Sequence, residues 1–361
     1  MTAPPRHLPR PRGPVAAATR AAIAFREGLP VAIHGSDGTS LSYALETLTS
    51  EALAEVKDGA LVLTHARART LKIRLYTPDV VALPLDALAA PETLLTIADP
   101  TFDLAAPLKG PFTPLRDKLP DAFAASVKLA KLAGLLPATV CVRVAEAPSH
   151  SISISVTDPQ DYESESVDTL ALVTRARVPL EGAEDAELVA FRARDGGAEH
   201  YAILIHAPPP HETVLARVHS ECFTGDLLGS LRCDCGPQLR GAIETIAKSG
   251  GGIVLYLAQE GRGIGLINKL RAYRLQDQGF DTMEANERLG FEADERLYRV
   301  AAKMLSLLGY SSVRLLTNNP AKAEALADAG IEVVARVPHR FAGTTHNRGY
   351  LAAKAKAGHL L

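Results

Sequence analysis

Residues 313–337 run Val313-Arg-Leu-Leu-Thr-Asn-Asn-Pro320-Ala-Lys-Ala-Glu-Ala-Leu-Ala-Asp-Ala-Gly330-Ile-Glu-Val-Val-Ala-Arg-Val337. The apolar Val313–Leu316 predicts a strand, Asn318-Asn319-Pro320 a turn and Ala321–Ala329 a helix stopped by Gly330. Ile331–Val337 predicts a second strand. Two strands joined through one helix argue for a mixed sheet with parallel neighbours, the signature of an α/β (α+β) fold. Working outward, strands are expected at Ala202–Ile205, Val214–Val218 and Ile253–Leu257. Helices are expected from Pro237 to the Gly250–Gly252 stop, from Leu266 to Gln278, and from Glu295 to Leu308. In the last of these, Leu297, Val300, Ala301, Met304 and Leu308 recur at core spacing.

The 361 residues are more than twice the length of about 150 typical of one domain, so two domains are expected. Upstream, strand-like Val31–Ile33 and Ala60–Leu63 and a helical run from Pro120 to Ala133 form a separate α/β unit. Residues 145–170 are Ser-rich and then acidic, which reads as a linker with a boundary near residue 170. The expected organisation is a disordered tail (1–15), an N-terminal domain (16–165) and a C-terminal domain (172–361). Residues 1–20 hold Arg6, Arg10, Arg12, Arg20 and five prolines, with no acid and no apolar core for a secretory signal. The prolines oppose the amphipathic helix of an organellar transit peptide, so a cytoplasmic location is expected.

Composition excludes several classes. With 39 basic and 41 acidic residues the net charge is -2, which speaks against a nucleic-acid partner. No apolar run approaches the ~18 residues of a membrane span, so no membrane partner is expected. Four cysteines are too few for a disulfide scaffold, and three of them cluster at Cys222, Cys233 and Cys235. Cys141 reads as a buried thiol.

The C-x10-C-x-C array lies just before the expected helix, whose positive end favours thiolates. Zinc is the ion such ligands favour. Three ligands leave the open position of a catalytic site, where the metal activates water. On spacing alone, a structural site completed by His219, or buried redox cysteines, competes evenly. His219-Ser220-Glu221-Cys222 superficially matches the His-x-Glu of zinc nucleobase deaminases, but the Pro-Cys-x-x-Cys half of that pattern is missing. Gln259-Glu260-Gly261-Arg262-Gly263-Ile264-Gly265 sits between strand and helix, where amides and a guanidinium attract anions. Leu266 excludes a dinucleotide fingerprint. Lys322 in the first turn of a helix is misplaced unless an anion offsets it. Tyr273, Asp294 and Arg296 read singly as a core aromatic and helix-start charges. Beside an open zinc they supply a proton-transfer group and a fixed cation, the parts for metal-assisted hydrolysis of a phosphorylated substrate.

Seven ordered blocks carry a resemblance: Arg217-Val-His-Ser-Glu-Cys222, Ser230-Leu-Arg-Cys-Asp-Cys235-Gly, Gln259-Glu-Gly-Arg262, Asn268-Lys-Leu-Arg-Ala-Tyr273, Asp281-Thr-Met-Glu-Ala-Asn286, Ala293-Asp-Glu-Arg296 and Leu316-Thr-Asn-Asn-Pro320. From about Leu172 onward the chain resembles GTP cyclohydrolase II, a hydrolase that opens the guanine ring of GTP at the start of riboflavin synthesis. The resemblance implies one Zn2+ per subunit on Cys222, Cys233 and Cys235, activating water for attack at guanine C8. Formate leaves, and pyrophosphate departs with Mg2+ on the triphosphate, giving 2,5-diamino-6-(5-phosphoribosylamino)pyrimidin-4(3H)-one. It further implies Asp294 as proton acceptor, Arg296 acting at the α-phosphorus and Tyr273 as a polar catalytic group. GTP contacts are implied for Arg217, Val218, His219, Ser220, Glu221, Gln238, Glu260, Gly261, Arg262, Thr282, Thr317 and Lys322, in a homodimer. A uracil-catabolism enzyme of the same fold and a non-catalytic zinc-containing nucleotide-binding protein are the alternatives.

Phe25-Arg-Glu-Gly28, Ala44-Leu-Glu-Thr-Leu-Thr49 and Ser126–Pro137 make the first half similar to a degenerate 3,4-dihydroxy-2-butanone 4-phosphate synthase. That family's acid-rich magnesium loop is reduced here to Asp37 within His34–Ser42, and its metal-binding histidine falls near Ala122. One carboxylate cannot build a hard-cation site. The first half is therefore expected to make no butanone phosphate and to serve folding, dimerisation or regulation.

Overall fold

A computed structural model of the chain describes residues 13–341, 345–347, 350–351, 355 and 358, apart from residues 57, 86–89, 150 and 195. Of the expected tail, residues 1–12 lie outside the described residues; Pro14 already opens a helix.

The first half runs α1 (Pro14–Arg26), β1 (Val31–Gly35), β2 (Gly38–Ala44), α2 (Ser50–Ala54), β3 (Ala60–Thr64) and α3 (His65–Thr70). It continues with β4 (Val80–Pro84), α4 (Pro91–Ala98), α5 (Asp121–Leu132), β5 (Ala138–Val144) and β6 (Ile152–Ser155). The strands form one sheet in the order β4-β3-β5-β2-β1-β6, parallel only between β1 and β6. Phe25 of α1 and Leu129 of α5 pack on Val31 and Ile33. Leu53, Ala68 and Leu94, from α2, α3 and α4, join Leu61 and Leu63 in another cluster. Cover on both faces explains why these strands read as nearly continuous apolar runs.

The stretch 145–170 corrects the expectation of a linker. β6 pairs with β1 from Val31↔Ile152 to His34↔Ser155, and α6 (Thr157–Asp168) follows. An edge strand needs only one apolar face: Ile154 is buried beside Phe25 while Ser153 and Ser155 are exposed. On α6 Asp161 and Asp168 are exposed, whereas Val167, with Leu170 beyond the helix, packs into the core of the second sheet.

That sheet holds β7 (Ala171–Arg177), β8 (Glu187–Arg192), β9 (Glu199–Ile205), β10 (Val214–Ser220), β11 (Gly252–Leu257), β12 (Ser312–Leu316) and β13 (Glu332–Val337). Its order is β13-β12-β10-β11-β9-β8-β7; the first four are parallel and the rest antiparallel. The helices are α7 (Cys235–Lys248), α8 (Gly265–Asp277), α9 (Thr282–Arg288), α10 (Arg299–Leu308) and α11 (Pro320–Asp328). Alternation along β10 decides what points where. Val214, Ala216 and Val218 enter the core shared with α10 and α11, while Leu215 packs with Ala242 and Ile246 of α7. By the same period of two, Arg217 and His219 share the α7 side with Leu215.

α10 starts at Arg299, four residues after the expected Glu295. The side-chain amide of Gln259 engages the backbone of Leu297 just ahead of α10, accepting from its N–H at 3.2 Å and donating to its carbonyl at 3.2 Å. α8 lies against the first half. Leu136 joins Ile264, Ala272, Leu275, Ala285, Leu289 and Phe291 in one apolar cluster. Around it Arg271 pairs with Glu46 at 2.8 Å and with Asp99 at 3.3 Å, and Lys131 pairs with Glu295 at 2.6 Å.

Candidate active site at the strand ends

The parallel strands β10, β11 and β12 end on one side, where open α/β sheets place their ligand crevices. Cys222 follows β10, Glu260 follows β11 and Thr317 follows β12. After β10 the chain turns through Phe223–Leu227, and α7 starts against that turn with Cys235 in its first position. The approach depends on glycine. A Cβ on Gly225 would lie 2.7 Å from Cys233 Sγ and 3.0 Å from Cys222 Sγ, and one on Gly236 would lie 2.3 Å from the Gly225 carbonyl oxygen.

The Sγ atoms of Cys222, Cys233 and Cys235 lie within 4.8 Å of one another, and Cys222 and Cys233 are 3.7 Å apart. Tetrahedral zinc with ~2.3 Å bonds to sulfur requires a sulfur separation of about 3.8 Å, so the donor set fits. Its electrostatics agree. Hydrogen bonds from Cys233 and Cys235 pull the Cys222 thiol well down, helped by the Lys269 ammonium, which donates to its sulfur at 3.0 Å. The hydrogen bond to Cys222 pushes Cys233 up to about 11, and Cys235 is raised as well.

His219 does not complete the set. Its Nε2 lies 3.1 Å from both carboxylate oxygens of Asp226, which also accepts from the Cys222 N–H at 3.0 Å and the Tyr256 hydroxyl at 3.0 Å. Burial lowers the His219 pKa despite this acid. Among the described residues no fourth ligand joins the cysteines, which leaves a coordination position open.

The cysteines lie in a cleft of about 1150 Å³, counting its open mouth. Among the described residues six cations line it, Arg217, Arg232, Arg262, Lys269, Arg296 and Lys322, against two carboxylates, Glu221 and Glu260. Such a wall suits a polyanion. Among the described residues, two buried polar atoms on its lining have no partner: Arg217 Nε and Ser220 Oγ. Arg217 is otherwise fixed by the Leu316 carbonyl at 2.9 Å and by Gln238.

Of the residues singled out in the sequence, Arg217, His219, Ser220, Glu221, Gln238, Glu260, Gly261, Arg262, Tyr273, Thr282, Arg296, Thr317 and Lys322 line the cleft with the cysteines. Val218 and Asp294 do not. The Val218 side chain belongs to the opposite core, and its carbonyl accepts from Lys322 Nζ at 3.1 Å. Asp294 stands behind Arg296, accepting from its Nε at 2.7 Å and its backbone N–H at 3.1 Å. Burial raises the Asp294 carboxyl, but the bonds from Arg296 prevail and hold it below the usual range. Glu260 is also engaged, accepting from Lys269 at 2.8 Å, the Phe223 N–H at 2.6 Å and the Gly261 N–H at 2.8 Å. Gly261 and Arg262 both take left-handed backbone, φ 64 and 63, the second a strained choice for a side-chain-bearing residue. The Glu295 N–H holds that turn, donating to the Arg262 carbonyl at 3.0 Å.

The model of the family described as GTP cyclohydrolase II matches residues 171–338. The GTP cyclohydrolase-2 of Azospirillum brasilense is 48% identical over 379 residues, covering 99% of this chain and 98% of that protein. The chain belongs to the GTP cyclohydrolase II family. The GTP cyclohydrolase-2 of Escherichia coli O9:H4 is 53% identical over 193 residues, which is 53% of this chain and 98% of that one. Among solved structures, a two-domain 3,4-dihydroxy-2-butanone 4-phosphate synthase from A. baumannii is similar at 18% identity, covering 90% of this chain and 99% of that one, with a TM-score of 0.32.

In this GTP cyclohydrolase II family member, the sequence reading missed Lys269, Arg232, Gln276, Asn286, His339 and Tyr350, all of which line the cleft. A signal for two of them was present: Lys269, Ala272, Tyr273 and Gln276 recur at helical spacing, so a polar stripe on α8 shares one face with Tyr273. His339 and Tyr350 carried no such signal, because only the folded chain returns them to the cleft.

Proposed function

We propose that this chain hydrolyses GTP as a zinc-dependent GTP cyclohydrolase II, releasing formate and pyrophosphate and leaving the diaminopyrimidine phosphoribosylamine, the first step of riboflavin synthesis. The observation that carries this reading is the three-sulfur site opening into a cleft lined by six cations and two carboxylates. Zinc held by Cys222, Cys233 and Cys235 would supply Lewis acidity for water attack on the purine.

The remaining steps fall to the chain's own groups. Arg217, Arg262, Lys322 and Thr317 bind and orient the triphosphate, which enters with Mg2+. Ser220, Glu221 and Gln238 meet the nucleoside, and His219 is fixed by Asp226 beneath it. Tyr273, whose hydroxyl lies 3.4 Å from Thr224 Oγ1, guards the sulfur site and exchanges a proton there. Arg296 stabilises charge at the α-phosphorus. Asp294 orients Arg296 and accepts a proton once substrate draws the guanidinium away, since both carboxylate oxygens are engaged before then. The active form is a homodimer working in the cytoplasm; among the described residues no helix is long and apolar enough to cross a membrane.

The test is mass spectrometry of the products after incubation with GTP, zinc and magnesium, beside elemental analysis of the purified chain. Formate and the ring-opened pyrimidine are expected, with one zinc per chain. Cys233→Ser should lose both the metal and ring opening. Full ring opening by that variant would overturn the zinc assignment.

A further inference from the structure

The first half carries a second cleft, of about 1440 Å³ with its open mouth, that shares no lining residue with the first. It lies between the turn after α3 and the segment 103–116, with Arg288 of α9 contributing from the second half. Among the described residues five cations line it, Lys72, Arg74, Lys109, Arg116 and Arg288, against one carboxylate, Asp103, which Arg288 faces at 3.9 Å. That carboxylate is already taken. Buried Arg67 grips it with two bonds of 2.8 and 2.7 Å, and Lys109 adds a third. Lys72 and Arg74 meet no carboxylate among the described residues, and the Arg116 guanidinium lies 4.9 Å over the ring of Tyr76. The lining thus carries a formal surplus of four positive charges in a chain whose net charge is -2.

Concentrating that charge in a concave wall is unfavourable unless an anion offsets it. Two guanidinium forks and an ammonium around one opening match the oxygens of a phosphate group better than a single carboxylate. We infer that this cleft binds a small molecule carrying one or two phosphate groups, separately from the cysteine-lined cleft. None of the residues His34–Ser42 lines it, so it is not the reduced acid loop. Arg288 lies at the far end of the short helix α9 from Thr282, which lines the other cleft.

The experiment is isothermal titration of the full-length chain with inorganic phosphate and, separately, with ribose 5-phosphate. Each is compared between the wild type and an Arg74→Ala/Arg116→Ala variant. Both arginines are exposed, and an unchanged thermal midpoint would show that the variant folds. Any anion binding in the cysteine-lined cleft is common to both proteins, so the difference reports this site alone. The expected result is a saturable site in the wild type that the variant binds at least about tenfold more weakly, as loss of charge-assisted contacts requires. Lys72→Glu should weaken it likewise. Tighter binding of the ester than of free phosphate would identify the occupant as a phosphorylated metabolite, and equal binding as free phosphate. Identical isotherms for wild type and both variants would overturn the inference.

Discussion

His200 shows how one buried side chain ties fold to pH. Its Nδ1 accepts the Ala258 N–H at 3.1 Å, just where the chain leaves β11 for the glycine-rich loop, so the ring must be neutral. Burial lowers its pKa to about 4 from an ordinary 6.5. The folded state therefore resists the proton that the unfolded chain takes up below pH 6.5. The stabilisation is complete above 6.5 and is lost as pH falls from there toward 4, by up to roughly 3 kcal/mol. His339, lowered to about 4 by burial and by Arg217, adds to the same slope. Thermal midpoints measured from pH 7 to pH 4 should fall steeply, and His200→Gln, whose amide oxygen can still accept from Ala258, should flatten part of that fall. An unchanged slope would show that His200 is not the group responsible.

α8 has two working faces. Lys269, Tyr273 and Gln276 line the cleft, while Asn268, Arg271 and Leu275 meet the first half of the chain. Asn268 donates to the Gly134 carbonyl at 3.2 Å, and Arg271 is held by Glu46 and Asp99. The face toward the first half joins an apolar cluster around Ala272 and Leu275 to a rim of ion pairs, and the other face is the polar wall of the cleft. Removing Arg271 should cost roughly 1.5–3 kcal/mol, because it leaves two largely buried carboxylates unpaired. It should also raise KM for GTP more than it lowers kcat, since the helix moves as a unit with Lys269 and Tyr273. Steady-state kinetics of Arg271→Ala beside a denaturant titration check this. A stability loss with KM unchanged would show that the two faces are uncoupled.

At the scale of the molecule, the question is why a GTP cyclohydrolase II family member carries a first half at all, when the E. coli relative spans about half its length. The contacts answer in part. Apolar Leu136 and the pairs of Glu46, Asp99 and Lys131 all reach the elements that build the cleft. The synthase chemistry that the first half's similarity suggests has little support in its side chains. Asp37 is paired with Arg143 at 3.1 Å, and Asp121 accepts from Ser36 at 2.7 Å. Incubation with ribulose 5-phosphate and magnesium should therefore yield neither formate nor dihydroxybutanone phosphate. Detection of either product would restore a catalytic role to this half.

The sequence by itself determined the parallel strands around Pro320 and the cysteine array, because period, glycine placement and thiol spacing are local properties of the chain; most of the cleft lining was implied by the seven blocks of the resemblance. It misjudged 145–170, where serines on the exposed side of an edge strand look the same as serines in a linker. It could not supply the Gln259 contact with Leu297 just ahead of α10, the Asp226 carboxylate that engages His219 beside the three cysteines, or the surplus charge of the second cleft. Each of these depends on contacts that exist only in the folded chain. Gln259 and Leu297 lie 38 residues apart, the second cleft joins Lys72 to Arg288, and even His219 and Asp226, seven residues apart, meet only because the chain turns through Phe223–Leu227.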